Sequence, residues 1–330
     1  MKTAILAILL FALMIFPHEL GHFLAARLLG VRVNEFAFGM GPAIWKKQGR
    51  ETLYSIRILP IGGYNALEGE DGDSEDDRAF CNKPWWARVI ILVSGAAMNV
   101  LIAYLALTVM LGILGFASLQ VQEVVPESPA AIAGMQPGDT IVAIDGQRTR
   151  DVDDVAEVIV RGKPMTVTVE REGKNQDLTV TPEKQDQGYK IGITWGRERS
   201  VLKSLGYGAI ATKNLGGMMI DAFHQLFTGG VKADDVAGPV GMVSLVHQTE
   251  SRGLTSFLML LALISWNLAI LNLLPFPALD GGRIVFVIIR QITGEKITDR
   301  QEAMVHAAGM ILLLLLVVLV TWNDISRLLQ

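Results

Sequence analysis

Residues 4–30 read AILAILLFALMIFPHELGHFLAARLLG, an apolar stretch that carries the polar string HELGH at residues 18–22. A helix needs about 20 mostly apolar residues to cross a bilayer, and this stretch is long enough. A secretory signal peptide would also begin with a residue such as Lys2 and a short apolar run. However, no small-x-small cleavage site follows, and the apolar character resumes after the polar string. We therefore expect a first membrane span over about residues 3–29.

The polar string has the H-E-x-x-H pattern that binds zinc when it lies on a helix. His18 and His22 are about one helical turn apart, so both imidazoles project from one face and can reach one metal ion. Glu19 lies beside them, where it can take a proton from a water bound to the metal. A carboxylate at the centre of a span costs about 2.5–3.5 kcal/mol, for which a bound metal would compensate. The alternative is a helix end that has emerged into the headgroup layer.

Three further stretches have the length and composition of membrane spans, namely residues 89–116, 257–274 and about 305–322. Of the 330 residues, 51% are hydrophobic and only 19% are charged, and the mean hydropathy is +0.38. This composition is too apolar for an ordinary soluble protein. We predict a polytopic α-helical membrane protein with four transmembrane helices. The net charge of −4 and the absence of a basic run argue against nucleic-acid binding, and the single cysteine, Cys81, is expected to be a bystander.

A third metal ligand is needed, because a catalytic zinc usually takes three protein ligands and leaves the fourth position to water. The third span ends in NLAILNLLPFPALDGGR at residues 267–283. Pro275 and Pro277 should break the helix, and the glycine pair at residues 281–282 permits a tight turn. Such a segment can aim the carboxylate of Asp280 back at a buried site. An ordinary turn aspartate in an interfacial loop explains this segment equally well when it is taken alone.

Residues 121–193 alternate β-like runs with turn signals such as Pro-Gly-Asp and Asp-Gly, which predicts a small soluble domain with one short helix over residues 152–160. The string SPAAIAGMQPGDTIVAIDGQ at residues 128–147 resembles the PDZ signature, in which an Ala-Gly-rich helix is followed by Gly-Asp and a strand ending in Asp-Gly. PDZ domains bind an extended peptide along a sheet edge. The resemblance implies one inserted α/β PDZ-like domain with a peptide segment as its partner.

The predicted organisation has four parts. Residues 1–116 form the first part of a membrane domain, with the H-E-x-x-H helix, a loop and the second span. Residues 117–195 form the PDZ-like domain, and residues 196–256 form an amphipathic connecting region that can lie along the membrane surface. Residues 257–330 form the second part of the membrane domain. A fifth span is not expected, because the connecting region is interrupted by charges at Lys203, Lys213 and Asp221.

The basic residues predict an orientation, because short cytoplasmic loops carry an excess of Lys and Arg. The loop between the first two spans is rich in both, and the loop between the last two carries Arg283, Arg290, Lys296 and Arg300. We expect both loops to be cytoplasmic, and both termini and the PDZ-like domain to lie outside. This orientation predicts a multi-pass membrane protein with the HELGH string in the bilayer towards the cytoplasmic side.

Three motifs in this order resemble the diagnostic elements of the site-2 protease family of intramembrane zinc metalloproteases. They are HELGH in the first span, the pair Gly95 and Asn99 within SGAAMN in the second span, and NLLPFPALDGG at the third. The strings FAFGMGP at residues 36–42 and LPIGGY at residues 59–64 are similar to the membrane-associated β-hairpin region of that family. The resemblance covers essentially the whole chain and is closest to bacterial members with a single PDZ domain. It implies a location in the bacterial inner membrane, with the active site in the bilayer towards the cytoplasmic side.

The resemblance implies a function and a set of site residues. His18, His22 and Asp280 would bind Zn²⁺, and Glu19 would act as the general base. Asn99 and Asn272 would lie near the substrate backbone. The expected substrates are transmembrane segments of membrane proteins, such as anti-sigma factors or signal-peptide remnants. Members with two PDZ domains have more sequence outside the membrane, so this chain can be expected to select its substrates differently.

Two other functions are compatible with parts of the sequence. A catalytically inactive, membrane-tethered PDZ adaptor would bind no zinc and would not depend on Glu19. A metalloprotease for soluble peptides at the membrane face would take a distant residue in place of Asp280. The other histidines lack a motif and are expected to be structural: His224, His247 and His306.

Overall fold

The computed structural model describes residues 2–70, 72–185, 188–228, 239–294 and 298–328, so residues 229–238 of the predicted connecting region lie outside it. Contacts divide the chain into unit 1, which comprises Met1–Met110 and Gly208–Gln330, and unit 2, which comprises Leu111–Tyr207. The described helices are α1 (Lys2–Leu28), α2 (Trp85–Leu114), α3 (Pro129–Ile132), α4 (Val152–Ile159), α5 (Val201–Phe227), α6 (Pro239–Arg252), α7 (Leu254–Leu273), α8 (Asp280–Thr293) and α9 (Asp299–Leu328). The described strands are β1 (Val33–Gln48), β2 (Leu53–Leu67), β3 (Phe116–Val124), β4 (Thr140–Ile144), β5 (Gln147–Arg148), β6 (Met165–Arg171), β7 (Lys174–Val180), β8 (Glu183–Gln185), β9 (Gly188–Lys190) and β10 (Ile193–Glu198).

Four described helices are long and apolar enough to cross a membrane, namely α1, α2, α7 and Arg300–Ser326 of α9. Each overlaps one predicted span and differs from it by a few residues at its ends, which confirms the predicted set of four apolar helices. The apolar window of α9 is only 6% buried inside the protein, and Leu312, Leu315 and Val318 are more than half exposed. Continuous apolar exposure of this kind is typical of a helix that faces lipid.

Helices α1, α2 and α7 of unit 1 share one apolar core, in which Leu10, Leu107 and Leu261 are buried. The backbones of α1 and α2 approach each other closely at Gly21. A Cβ atom on Gly21 would overlap the backbone carbonyl of Ser94. Small residues allow such close contacts between membrane helices, which associate mainly through van der Waals packing.

The predicted β-hairpin follows α1 and consists of β1 and β2, paired antiparallel. β2 folds back on itself, so that Phe36 of β1 is paired with Tyr54 on one side and with Asn65 on the other. The Phe36 ring packs against the ring of Phe23 in α1, with centroids 5.0 Å apart. This packing fixes the base of the hairpin on α1. As a result, the last residues of β2, including Gly63 and Asn65, lie alongside the helix that carries the H-E-x-x-H motif.

Unit 2 is built on an antiparallel sheet in the order β10-β3-β4-β6-β7, with β5 paired to β4. The alternating run MTVTVER forms β6, in which Met165, Val167 and Val169 point into the core of the unit. Helix α4 covers the short helix that the sequence predicts. It begins after Asp151, whose carboxylate accepts hydrogen bonds from two N–H groups of the first turn and so caps the helix.

The structure corrects the prediction for the segment after α7. The prediction placed a tight turn at Gly281 and Gly282, but both residues lie in the first turn of α8. The residue with a left-handed backbone is Ala278, with a φ of 76°. A Cβ atom on Gly281 would overlap the carbonyl of Leu274. The glycine pair is therefore needed for close packing, because it lets the start of α8 fold tightly onto the loop before it.

Helix α5 occupies the first part of the predicted connecting region. From Gly208 onwards it belongs to unit 1. A Cβ atom on Gly208 would overlap Thr108 of α2, and one on Gly216 would overlap the ring of Trp266 in α7. This part of α5 therefore packs directly against two of the apolar helices.

Asp139, in the predicted Pro-Gly-Asp turn, connects two parts of unit 2. Its side chain is 1% exposed. The Arg171 guanidinium donates to both carboxylate oxygens at 2.7 Å, and the backbone N–H of Gln136 donates to Oδ2 at 2.8 Å. Burial alone would raise the pKa of Asp139, but these hydrogen bonds outweigh it and hold the pKa below its usual value. The stability that the pair contributes is therefore present at neutral pH and is lost as the pH falls through the folded-state pKa.

We predict that Asp139→Asn raises the hydrogen–deuterium exchange rates of β4 and β6 in the full-length protein at pH 7 by about 10- to 100-fold, because charged hydrogen bonds are lost. As the pH is lowered through the folded-state pKa of Asp139, the difference between variant and wild type should shrink, since the wild-type carboxylate becomes protonated. The control variant Arg161→Ala breaks an exposed ion pair with Glu157. Its hydrogen–deuterium exchange rates in β4 and β6 should stay within about twofold of the wild-type rates. Equal exchange in Asp139→Asn and the wild type at pH 7 would contradict the assignment.

Candidate metal centre

His18 and His22 lie one turn apart on α1, and their imidazoles face the same space. The two Nε2 atoms are 3.2 Å apart, and the rings meet edge to face with centroids 4.7 Å apart. Helical geometry explains this arrangement, because side chains at positions i and i+4 lie above one another on the helix surface. The H-E-x-x-H spacing therefore brings both rings together, as the sequence predicts.

Asp280 approaches the two histidines from α8, where it is the first residue of the helix. Its Oδ2 atom is 3.5 Å from His18 Nε2 and 3.3 Å from His22 Nε2. This buried oxygen has no hydrogen-bond partner among the described residues. Within the described part of the chain, these three residues are the one group of three or more His, Cys, Asp or Glu side chains that could hold a metal ion.

The spacing of the three ligand atoms suits zinc. Two ligands that each lie about 2.0–2.1 Å from a tetrahedral Zn²⁺ are about 3.3–3.4 Å apart. The three separations in the structure are 3.2, 3.3 and 3.5 Å. Two imidazoles with one carboxylate are also a common donor set of catalytic zinc sites, which leaves one position for water or substrate. The residues present therefore fit the metal that the motif predicts.

Each imidazole has a second partner that orients it. His22 Nδ1 lies 2.8 Å from the carbonyl of Ile91, so Nδ1 carries the hydrogen and Nε2 has its lone pair free for a metal. His18 Nδ1 lies 3.3 Å from the side-chain nitrogen of Asn99 and 3.5 Å from that of Asn272. The Oδ1 atom of Asn99 is buried without a partner in the described residues. A half-turn of the amide would let it accept a hydrogen from His18 Nδ1.

Gly95 of α2 forms one wall of the centre. A Cβ atom there would overlap both the His22 and the His18 imidazoles. Gly95 therefore allows close packing of α2 at the point where this helix borders the site. The backbone of α2 has to touch the rings, which is possible only without a side chain.

Glu19 is held by the β-hairpin. The Asn65 side-chain nitrogen donates to Glu19 Oε2 at 2.7 Å and to the Glu19 backbone carbonyl at 2.8 Å. Gly63 lies beside it, since a Cβ atom on Gly63 would come within 2.9 Å of Glu19 Cγ. Sequence analysis missed Asn65. The one local signal for it was a polar residue near the end of an apolar strand, which does not by itself indicate a site.

An ion pair also connects the segment that follows the hairpin to α8. Arg283, three residues after Asp280, pairs with Glu70, which follows β2 closely. The chain segments that carry Glu19, Asn65 and Asp280 are therefore linked to one another by polar contacts as well as by packing.

All six site residues that the sequence predicts come together in unit 1: His18, Glu19, His22, Asn99, Asn272 and Asp280. Asn99 is fully buried against His18, and Asn272 lies at the end of α7 close to the same ring. The other histidines lie outside this group. His306 accepts a hydrogen bond from the backbone N–H of Ala278, and His247 contacts Thr3.

Comparison with known proteins identifies the family of the chain. The model of peptidase family M50 matches residues 6–316. The regulator of sigma-W protease RasP of Bacillus subtilis is 31% identical, and the match covers 99% of each chain. A Fusobacterium nucleatum homologue that carries the name zinc metalloprotease is 34% identical, also over 99% of each chain. The solved PDZ domain of an SdrC-like protein from Listeria innocua matches 25% of this chain and 99% of its own length, with 22% identity and a TM-score of 0.23.

The family match covers nearly the whole chain, and both relatives are more than 30% identical over almost their full length. The chain therefore belongs to peptidase family M50, the site-2 protease family, and it is a zinc metalloprotease.

Proposed function

We propose that the chain is an intramembrane endopeptidase in which His18, His22 and Asp280 bind the zinc ion and Glu19 is the general base. The observation that carries this proposal is the position of Asp280, whose carboxylate lies within 3.5 Å of both imidazoles although it is more than 250 residues away in sequence. The motif lies inside α1, a helix of spanning length, so the reaction would take place at the level of the membrane.

The chemistry follows from the roles of these side chains. When bound, zinc activates water near neutral pH and polarises the scissile carbonyl. The Glu19 carboxylate accepts the proton of the attacking water and later passes it to the leaving amine. Asn99 keeps the His18 ring oriented, and Asn272 provides an amide close to the same ring for the substrate backbone.

The proposed substrate is a transmembrane segment that can unwind. The carbonyl groups of a helical backbone are hydrogen-bonded within the helix, so hydrolysis requires a locally extended chain. The hairpin offers strands beside Glu19 to which an extended segment can add by edge pairing. Anti-sigma factors are one candidate class, in line with the name of the Bacillus subtilis relative, and signal-peptide remnants are another.

Unit 2 would act as a PDZ-like module outside the membrane. A groove of about 550 Å³ is lined by Ile159 of α4 and by Ile191 and Ile193 near the start of β10. β10 stands at the end of the sheet order, so its outer edge has no strand partner in the described part of unit 2. An extended peptide could pair there. The same unit could exclude proteins with bulky external portions. In this proposal both termini and unit 2 are extracytoplasmic.

The first test concerns the metal and the base. We expect Glu19→Gln to retain zinc and to lose cleavage of a single-span reporter protein with Gly and Pro in its transmembrane segment, by about 10²- to 10⁴-fold. Asp280→Ala should lose zinc as well, because only two protein ligands remain. Metal analysis and cleavage assays on the purified full-length protein measure both effects.

His224→Ala serves as the control, since this exposed histidine lies outside the metal centre. It should leave zinc content and cleavage unchanged. Full zinc content and normal cleavage in Asp280→Ala would mean that the third ligand lies elsewhere, and an active Glu19→Gln variant would refute the proposed mechanism.

A second test concerns Gly95, which forms one wall of the metal centre. We expect Gly95→Ala to weaken zinc binding by about 10- to 100-fold, the effect typical of disturbed ligand orientation. The new methyl group would displace the imidazoles of His18 and His22. Gly112→Ala adds the same methyl group to the same helix, where the nearest atom is 3.7 Å from the new Cβ. It should bind zinc like the wild type, and equal zinc affinities in both variants would contradict the placement of Gly95.

The third test addresses exclusion by unit 2. Replacing residues 121–193 by a flexible linker should allow cleavage of reporter proteins whose external portion has not been trimmed. The wild type should cleave only the trimmed reporter. If the shortened protein cleaves the trimmed reporter but still rejects the untrimmed one, unit 2 does not act as the filter.

A further inference from the structure

The side chain of Asn65 makes an unusual pair of hydrogen bonds. Its single Nδ2 group donates both to Glu19 Oε2 at 2.7 Å and to the Glu19 backbone carbonyl at 2.8 Å. Its own oxygen, Oδ1, is buried and has no partner among the residues that the structure describes. All the side-chain hydrogen bonding of Asn65 seen in the structure is therefore directed at one residue.

The strand itself does not explain an asparagine at this position. Asn is depleted in β-strands, and a buried amide oxygen without a partner costs free energy. Both of these costs would be avoided by an apolar β-branched residue. The feature of the surroundings that requires an amide donor is the Glu19 carboxylate with its adjacent carbonyl.

The two hydrogen bonds restrict the orientation of the Glu19 carboxylate. A glutamate side chain has several rotatable bonds, and a carboxylate rotates easily unless it is held. Because Nδ2 donates to Oε2 and also to the backbone carbonyl of the same residue, it fixes the carboxylate relative to α1. Oε1, which Asn65 does not contact, would then be the oxygen that accepts the proton. Asn65 is itself held in place, since it pairs with Phe36 in the hairpin and Phe36 packs on α1.

We propose that Asn65 is a positioning residue, which holds the Glu19 carboxylate in its working orientation and so makes the activity of the base depend on the hairpin. This inference rests on the proposed function, in which Glu19 is the general base. Asn65 itself does not take part in proton transfer. Correct orientation of a reacting group is a large part of enzymatic rate enhancement, and small displacements are costly.

The test compares two substitutions of the same kind in the same hairpin. Asn65→Leu keeps the size of the side chain and removes the donor. Asn34→Leu is the matched control, because Asn34 Nδ2 donates to the Glu68 carboxylate at 2.8 Å in the same hairpin, without contact to Glu19. Asn65→Gln retains a carboxamide donor on a longer side chain. Each variant is assayed as full-length protein for zinc content, kcat and KM on the single-span reporter.

We expect Asn65→Leu to lower kcat by about 10- to 100-fold with KM within about twofold of the wild type and zinc retained. Asn65→Gln should recover part of the lost kcat. Asn34→Leu should stay within about twofold of the wild type in kcat and KM, because its bond lies away from the base.

Three results would overturn the inference. They are an unchanged kcat in Asn65→Leu, a loss confined to KM, and a loss of zinc or activity that Asn34→Leu shares. A loss confined to KM would identify Asn65 as a substrate contact instead, and a shared loss would identify a general effect on hairpin folding. These outcomes are separate from failure of the proposed function, which would show as cleavage by Glu19→Gln. If Glu19→Gln is inactive and Asn65→Leu is fully active, only the present inference fails.

Discussion

The approach of the Asp280 carboxylate to the imidazoles of His18 and His22 is the contact on which the rest of unit 1 depends. Three polar groups lie 3.2–3.5 Å apart among apolar helices. Such a cluster is costly in a poorly solvated site, because its lone pairs face one another and hydration is reduced. In the proposed function a divalent cation would convert that cost into stabilisation, so metal binding and the packing of α8 against α1 would be coupled. The catalytic ion of a zinc metalloprotease would in this way also be a structural element.

The same contact explains where unit 1 needs glycine. Gly21 lets the backbone of α1 touch that of α2, Gly95 lets α2 touch the imidazoles, and Gly281 lets α8 fold onto the loop before it. In each case a Cβ atom would overlap backbone or ring atoms that cannot move without moving the site. Close approach of backbones is typical of membrane helices, where small residues take the place of a hydrophobic driving force. Here it also determines the distances between the ligand atoms.

Sequence alone could predict the features that depend on local spacing. The interval between His18 and His22 places two imidazoles on one helix face, and four apolar stretches predict four long helices. Asp280 was a candidate from the residues alone, but only the family resemblance favoured it over an ordinary turn aspartate, because nothing local distinguishes the two. The sequence predicted a tight turn where α8 in fact begins, and it gave no indication of the hydrogen bond from Asn65 to Glu19. The bond from Asn65 to Glu19 joins segments that are distant in sequence, for which periodicity and turn signals carry no information. The start of α8 depends on close packing onto the preceding loop, and a glycine pair is equally compatible with a turn.

The hairpin is the element that connects these distant segments. Through Asn65 it holds Glu19 on α1. Glu70, three residues after the end of β2, pairs with Arg283 on α8, one turn from Asp280. In the proposed function, an extended substrate would add to strands of this same hairpin. Recognition of an unwound segment and orientation of the base would then involve one piece of structure. A segment that stays helical could not pair with the strands, so selection for unwound chains would be built into the element that also positions the catalytic carboxylate.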